Sequence, residues 1–158
     1  MSARANPPIT GRCYCGAITI AATRPPEAVA YCHCVDCRRA VGAPVSAVAA
    51  FDEATVTFAP GRGKLFSPNG GAKRWFCADC GSSVASQFDY LPGQIYVSLG
   101  LLDQAADLAP QMHAYESQRL PWLDIHDHAE RFERTSRSRL NRAHGDARPG
   151  NANGEAIA

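Results

Sequence analysis

Long apolar runs are missing from this chain. No stretch approaches the ~20 residues that a membrane-spanning helix needs. Met1–Thr10 is polar and includes Pro7 and Pro8, so it lacks the apolar core of a signal peptide. A cytoplasmic location is expected, a compartment where cysteines serve metal or catalysis more often than disulfides. Strong net charge is missing too: 16 Lys and Arg stand against 15 Asp and Glu, for +1. The glycines form no phosphate loop or dinucleotide fingerprint, and no serine sits in a hydrolase elbow. Internal repeats are absent. Helical membrane spanning, P-loop chemistry and serine hydrolysis therefore have no support.

What is present is cysteine. The 158 residues are 46% hydrophobic, enough for one domain with a core of its own, so metal is not required merely by small size. The seven cysteines fall into three groups: Cys13 and Cys15; Cys32, Cys34 and Cys37; Cys77 and Cys80. An odd count leaves one thiol over in any pure disulfide framework. The C-x-C, C-x-C-x-x-C and C-x-x-C spacings crowd the sulfurs, which suits thiolates converging on a cation. The densest stretch, Tyr31–Arg39, adds His33, Asp36, Arg38 and Arg39.

Around these groups the pattern reads as short strands. Alternation or β-prone composition marks Ile18–Ile20, Ala28–Tyr31, Val45–Phe51, Thr55–Phe58, Lys64–Phe66, Lys73–Phe76, Ser82–Gln87 and Ile95–Leu99. Pro68-Asn69-Gly70-Gly71 signals a hairpin. Val35–Val41 predicts one or two helical turns ending near Gly42, with Cys37 in the first turn. Leu101–Leu108 predicts a short helix, and Met112–Ser117 and Pro121–Ile125 further strands. Residues 1–10 read as a loose leader.

Zinc takes four protein ligands at structural sites and typically three at catalytic ones. Seven cysteines divide naturally into four and three. Joining Cys13 and Cys15 to Cys77 and Cys80 makes a closed site between distant loops. Cys32, Cys34 and Cys37 then form a three-thiolate site able to accept an incoming thiol, with Arg38 and Arg39 nearby to attract a carboxylate on it. Other readings stay open from spacing alone. His33, Asp36 or a remote side chain would close the second site, the trio would stand as free thiols, or Cys13 and Cys15 would group with part of the trio. His113 reads as a structural histidine. His126 and His128, near Asp124 and Asp127, read as an exposed turn, and Trp75 and Trp122 as core or pocket wall.

Three motifs together, Gly-x-Cys-x-Cys-Gly at 11–16, Cys-His-Cys-x-x-Cys-Arg at 32–38 and Phe-Cys-x-x-Cys-Gly at 76–81, resemble the glutathione-dependent formaldehyde-activating enzyme family, the CENP-V/GFA domain family. Leu99-Gly100-x-Leu102-Asp103, Pro110-x-x-His113-x-Tyr115 and Pro121-Trp122 are similar to it as well. The resemblance covers about residues 8–130. It implies a mainly β, Mss4-like fold of packed antiparallel sheets with short helices. It implies two zinc ions per chain: a structural one on Cys13, Cys15, Cys77 and Cys80, and a catalytic one on Cys32, Cys34 and Cys37. The implied reaction joins glutathione and formaldehyde into S-hydroxymethylglutathione, a carbon–sulfur lyase reaction in reverse. The alternative is a non-catalytic zinc module that binds a thiol carrier or a macromolecule.

The charge is unevenly spread. Residues 1–130 hold ten Lys and Arg against twelve acids, and residues 131–158 hold six Arg against three acids. Thiolate–zinc centres would make the body more negative, so nucleic acid is not the expected partner. The expected division is a zinc-binding domain at 1–130 and a basic, disordered tail at 131–158.

Overall fold

Period-two alternation builds most of the structure, a computed structural model that describes residues 7–68 and 71–147. Two sheets carry it. The smaller has the order β1 (Ile9–Arg12), β2 (Thr19–Ala22), β5 (Val56–Ala59), all antiparallel. The larger runs β11 (Glu130–Arg131), β10 (Met112–Ala114), β3 (Ala28–Cys32), β4 (Ser46–Asp52), β9 (Gln94–Ser98), β8 (Ser83–Phe88), β7 (Ala72–Phe76), β6 (Lys64–Phe66). In it β10 is parallel to both its neighbours, and the other pairs are antiparallel. The described residues contain two α-helices, α1 (Val35–Val41) and α2 (Arg137–Ala147). The fold is mainly β, consistent with the expected Mss4-like architecture.

Both faces of the large sheet are covered, and the alternation decides which side chain goes where. Val29, Ala49, Phe51, Val84, Ile95 and Val97 pack with Ile9, Ile18, Ile20 and Ala22 of the small-sheet layer. The residues between them, Ala28, Ala30, Ala50 and Tyr96, join Met112, Leu91 and Leu140 of α2 on the other face. Full burial of a Phe51 or Ile95 side chain contributes roughly 1.5–3 kcal/mol. The sheets close together at Gly11, where an added Cβ would stand 2.4 Å from the Leu101 carbonyl oxygen.

Several expectations change. The loose leader contributes Ile9 and Thr10 to β1; residues 1–6 lie outside the described residues. The Leu101–Leu108 segment is not an α-helix but holds separate 3-10 turns, Leu99–Leu101 and Ala105–Asp107, as its imperfect apolar spacing allows. No strand forms at Pro121–Ile125, and the tip of the expected hairpin, 69–70, lies outside the described residues.

The largest difference is the tail. Residues 132–147 are not disordered. Phe132 is half-buried, and α2 buries Leu140 and His144 on one face, with Ser136 buried just ahead of it. His144 Nδ1 pairs with Glu27 Oε2 at 2.8 Å, and Asn141 Oδ1 accepts from Gln94 Nε2 at 2.8 Å. One leucine and two polar anchors replace the broad apolar stripe that a sequence reading looks for. Residues 148–158 of the expected tail lie outside the described residues. Among the described residues, no helix is long and apolar enough to cross a membrane.

Candidate metal centres and the adjoining cavity

Two matching loops bring the flanking cysteines together. In the first, Cys13 N–H donates to the Ile18 carbonyl, and Gly16 N–H to the Cys13 carbonyl. In the second, Cys77 N–H donates to the Ser82 carbonyl, and Gly81 N–H to the Cys77 carbonyl. Gly16 and Gly81 have φ of 82° and 76°, the left-handed region that glycine enters without a Cβ penalty. Each glycine turns the backbone just after the second cysteine of its pair. Tyr14 N–H donates to Ser82 Oγ at 3.0 Å and locks one loop to the other.

The four sulfurs lie within 4.8 Å of one another. Cys13 and Cys15 are 3.6 Å apart, and Cys15 and Cys77 3.8 Å. A tetrahedron with 2.3 Å zinc–sulfur bonds has edges of about 3.8 Å. The spacing is far beyond a disulfide's ~2.05 Å, and all seven cysteines are free. The donor set fits zinc. The thiols already differ in acidity: the Ser82 hydroxyl pulls Cys80 down to about 6. For Cys15 the Ala17 backbone N–H pulls the other way, but burial and the neighbouring thiols push it up to about 12. A cation at their centre removes that conflict.

The second cluster is presented by β3 and α1. Cys32 ends the strand and Cys34 caps the helix, its sulfur accepting from Cys37 N–H at 3.3 Å. Gly42 closes α1 in a left-handed C-cap, donating to the Arg38 carbonyl. Cys32 and Cys34 sulfurs lie 3.4 Å apart, and the trio shares one potential ion position. Hydrogen bonds from Cys32 and Cys37 push Cys34 down to about 2, while the same crowding and burial push Cys32 up. One thiol ionises at the expense of its neighbours, the electrostatic pattern of a site shaped for a cation. Three thiolates fit zinc as a three-ligand centre.

The trio lines a cavity of about 340 Å³ on the α2 face of the large sheet. Val48, Ala85, Phe88, Tyr96 and Leu140 give it apolar walls, and Asp36, Arg74, Tyr90, Tyr115 and Arg137 bring polar groups. Arg74 Nη2 stands 3.8 Å from Cys37 Sγ. Burial, with the nearby Tyr115 and the trio, pushes Tyr90 up to about 12, so it stays a neutral phenol.

The arginines expected beside the trio are placed elsewhere. Arg38 and Arg39 line a separate groove with Val35, Pro44 and Leu120. Each helical residue rotates the side-chain direction by about 100°. With Cys37 turned toward the trio, its next two neighbours are carried round the helix. The arginines that line the trio's cavity are instead Arg74 and Arg137. No motif marks either: Arg74 is an ordinary strand position, and Arg137 lies in the segment read as a tail.

His33 also faces away from the sulfurs, as alternation along the strand requires. It is fully buried, and its Nε2 meets His113 Nδ1 at 2.8 Å; His113 Nε2 meets Asp127 Oδ2 at 2.8 Å. Burial holds His33 below the usual imidazole range, against the pull of Glu116. His33, His113 and Glu116 lie close enough to share an ion. The two imidazole planes, however, are within 8° of parallel and meet nitrogen to nitrogen at 2.8 Å, the distance of an N–H···N bond. Asp36 does reach the cavity. His126 is exposed beside Asp124, and Trp122 is exposed rather than forming a pocket wall, whereas Trp75 packs on the core.

Among solved structures, a crystal structure of a Rhodobacter sphaeroides protein is similar at 27% identity, covering 60% of this chain and 87% of that one, with a TM-score of 0.47. No curated protein matches. The model of the glutathione-dependent formaldehyde-activating enzyme family matches residues 8–118, which include all seven cysteines. The chain belongs to the glutathione-dependent formaldehyde-activating enzyme family.

Proposed function

We propose that this chain is a zinc-dependent enzyme that joins a small thiol of the glutathione type to an aldehyde, formaldehyde in the family's named reaction. The observation that carries this reading is the contrast between the clusters. Four sulfurs gather between two loops, enough to complete a tetrahedral set, whereas only three, Cys32, Cys34 and Cys37, line a cavity of about 340 Å³. The first set suits a structural zinc and the second a catalytic one. A reducing, cytoplasmic setting suits seven free thiols.

In the forward direction the thiol S–H bond breaks and sulfur bonds to the carbonyl carbon. The C=O π pair moves to oxygen, which takes up a proton, giving an S-hydroxymethyl adduct. The reverse is carbon–sulfur lysis. Zinc held by Cys32, Cys34 and Cys37 would supply a cationic centre that favours the thiolate form of the entering thiol. Arg74 adds a positive charge beside Cys37, so an anionic sulfur there has a second partner. The apolar walls from Val48, Ala85 and Leu140 limit water around it and strengthen that attraction.

Exchange between glutathione and formaldehyde, followed by NMR, tests the proposal. The zinc-loaded protein is expected to accelerate exchange over the spontaneous reaction, and Cys34→Ser to reduce that acceleration at least tenfold, or about 1.4 kcal/mol of barrier. Exchange at the spontaneous rate with wild-type protein would refute the assignment.

A further inference from the structure

We propose that Arg74 and Arg137 form an anion-binding subsite that selects thiols carrying a carboxylate several bonds from the sulfur. The proposal rests on the thiol-enzyme reading and names its substrate class. Both arginines line the cavity that holds the trio. Among the described residues, neither pairs with a carboxylate, although Asp36 lines the same cavity.

Each guanidinium rests on an aromatic ring instead. Arg74 lies 5.4 Å from the centre of Phe88, Arg137 lies 5.6 Å from that of Tyr90, and the two rings are 5.4 Å apart. Cation, ring, ring and cation form one continuous wall. The ring contacts use none of the N–H donors, so apart from the Arg74 Nη2 group that faces Cys37 Sγ they are left for a carboxylate. Arg74 marks the end beside Cys37. On this proposal Arg137, linked to Arg74 through the two rings, takes the far end of the wall and meets an anion only on a long thiol.

The second arginine is held by structure outside the matched family segment. That match ends at residue 118, and Arg137 opens α2. Leu140 anchors this helix in the core, and the His144–Glu27 and Asn141–Gln94 contacts fix it from two sides. Thr135 Oγ1 accepts from Arg137 N–H at 3.1 Å, fixing the backbone at the residue that carries the guanidinium. The extension thus adds a selectivity element to a reaction centre supplied by the family domain.

The test measures binding by calorimetry to the zinc-loaded full chain. The probes are mercaptoacetate and 6-mercaptohexanoate, each compared with its own primary amide. The readout is the carboxylate-to-amide selectivity. Arg137→Gln is expected to lower selectivity for the long thiol about tenfold, the worth of one charge-assisted contact, and to change that of the short thiol less than about twofold. Arg74→Gln is expected to lower selectivity for both lengths. Arg137 is exposed, so its replacement leaves the core intact. Undiminished long-thiol selectivity in Arg137→Gln overturns the subsite. An equal loss for both lengths also overturns it, because a diffuse field does not measure distance. Failure of every thiol to bind wild type overturns the enzyme reading and the subsite together.

Discussion

Breaking the two cysteine clusters should cost the fold different amounts, although their ligand chemistry is the same. The closed cluster joins residues 62 positions apart, from Cys15 to Cys77. On the chain-entropy account, holding a loop of that length closed restricts the unfolded chain by about 4 kcal/mol. The trio spans only Cys32 to Cys37, and the same relation gives about 2 kcal/mol for so short a loop. Cys77→Ser combined with Cys80→Ser releases the long loop. Cys34→Ser combined with Cys37→Ser releases the short one, and the serine hydroxyl that replaces the Cys34 thiol can still cap α1. Urea unfolding of the zinc-loaded proteins, with metal content measured alongside, compares the two. The first double variant is expected to lose about twice as much stability, with a fall in melting temperature of roughly 8–16 °C. A chelator that strips both ions should bring wild type down by at least the larger amount. Equal losses in the two variants, or removal of both ions with no shift, would refute the long-loop argument.

Other consequences are sharp enough to measure. Gly11→Ala places a methyl group 2.4 Å from the Leu101 carbonyl oxygen, and overpacking there should cost about 1–3 kcal/mol in urea unfolding. Leu140→Ala removes the main apolar anchor of α2 and should cost about 2–5 kcal/mol; hydrogen exchange should quicken over Arg137–Ala147 first, and uniform quickening would argue against a separately anchored helix. The hydrogen bond from Arg62 to Glu53 holds that carboxyl below its usual range. Its contribution to stability is present above the ordinary carboxylate pKa and is lost as pH falls through the depressed value. Arg62→Gln should move the Glu53 carboxyl upward in an NMR titration, and an unmoved midpoint would dismiss the ion pair as the cause.

Elements whose cause is local were legible in the sequence. Val35–Val41 declares itself by the glycine that follows, and the structure gives the same helix with Gly42 as its cap. Thr55–Phe58 alternates and forms a strand as Val56–Ala59, and the short strand read at Lys64–Phe66 forms there too. The cysteine spacings foretold the two pairs and the trio, while the joining of the pairs into one cluster depends on the fold. What escaped was tertiary in origin. A helix with one buried leucine carries little periodic signal, and α2 depends on Glu27 and Gln94, more than forty positions upstream. The arginines were misplaced for the complementary reason. Sequence adjacency put Arg38 and Arg39 beside the trio, but helical rotation carried them away and the strand pairing of β7 brought Arg74 in.

The parallel pairing of β10 with β3 also sets an order of events. Strand β3 carries Cys32, and its neighbour β4 follows soon after in the chain, so that side of the strand forms early and locally. Its other neighbour pairs Ala114 with Cys32, across most of the matched segment. The four-cysteine cluster needs nothing beyond Ser82. As the chain leaves the ribosome, all four cysteines of the first cluster are available while β3 still has an open edge. The seat of the trio closes only when the Met112–Ala114 strand arrives. Such a late, non-local pairing belongs to the slow part of folding. On this order a nascent chain can gather its four-cysteine cluster before the sheet edge beside the trio is complete.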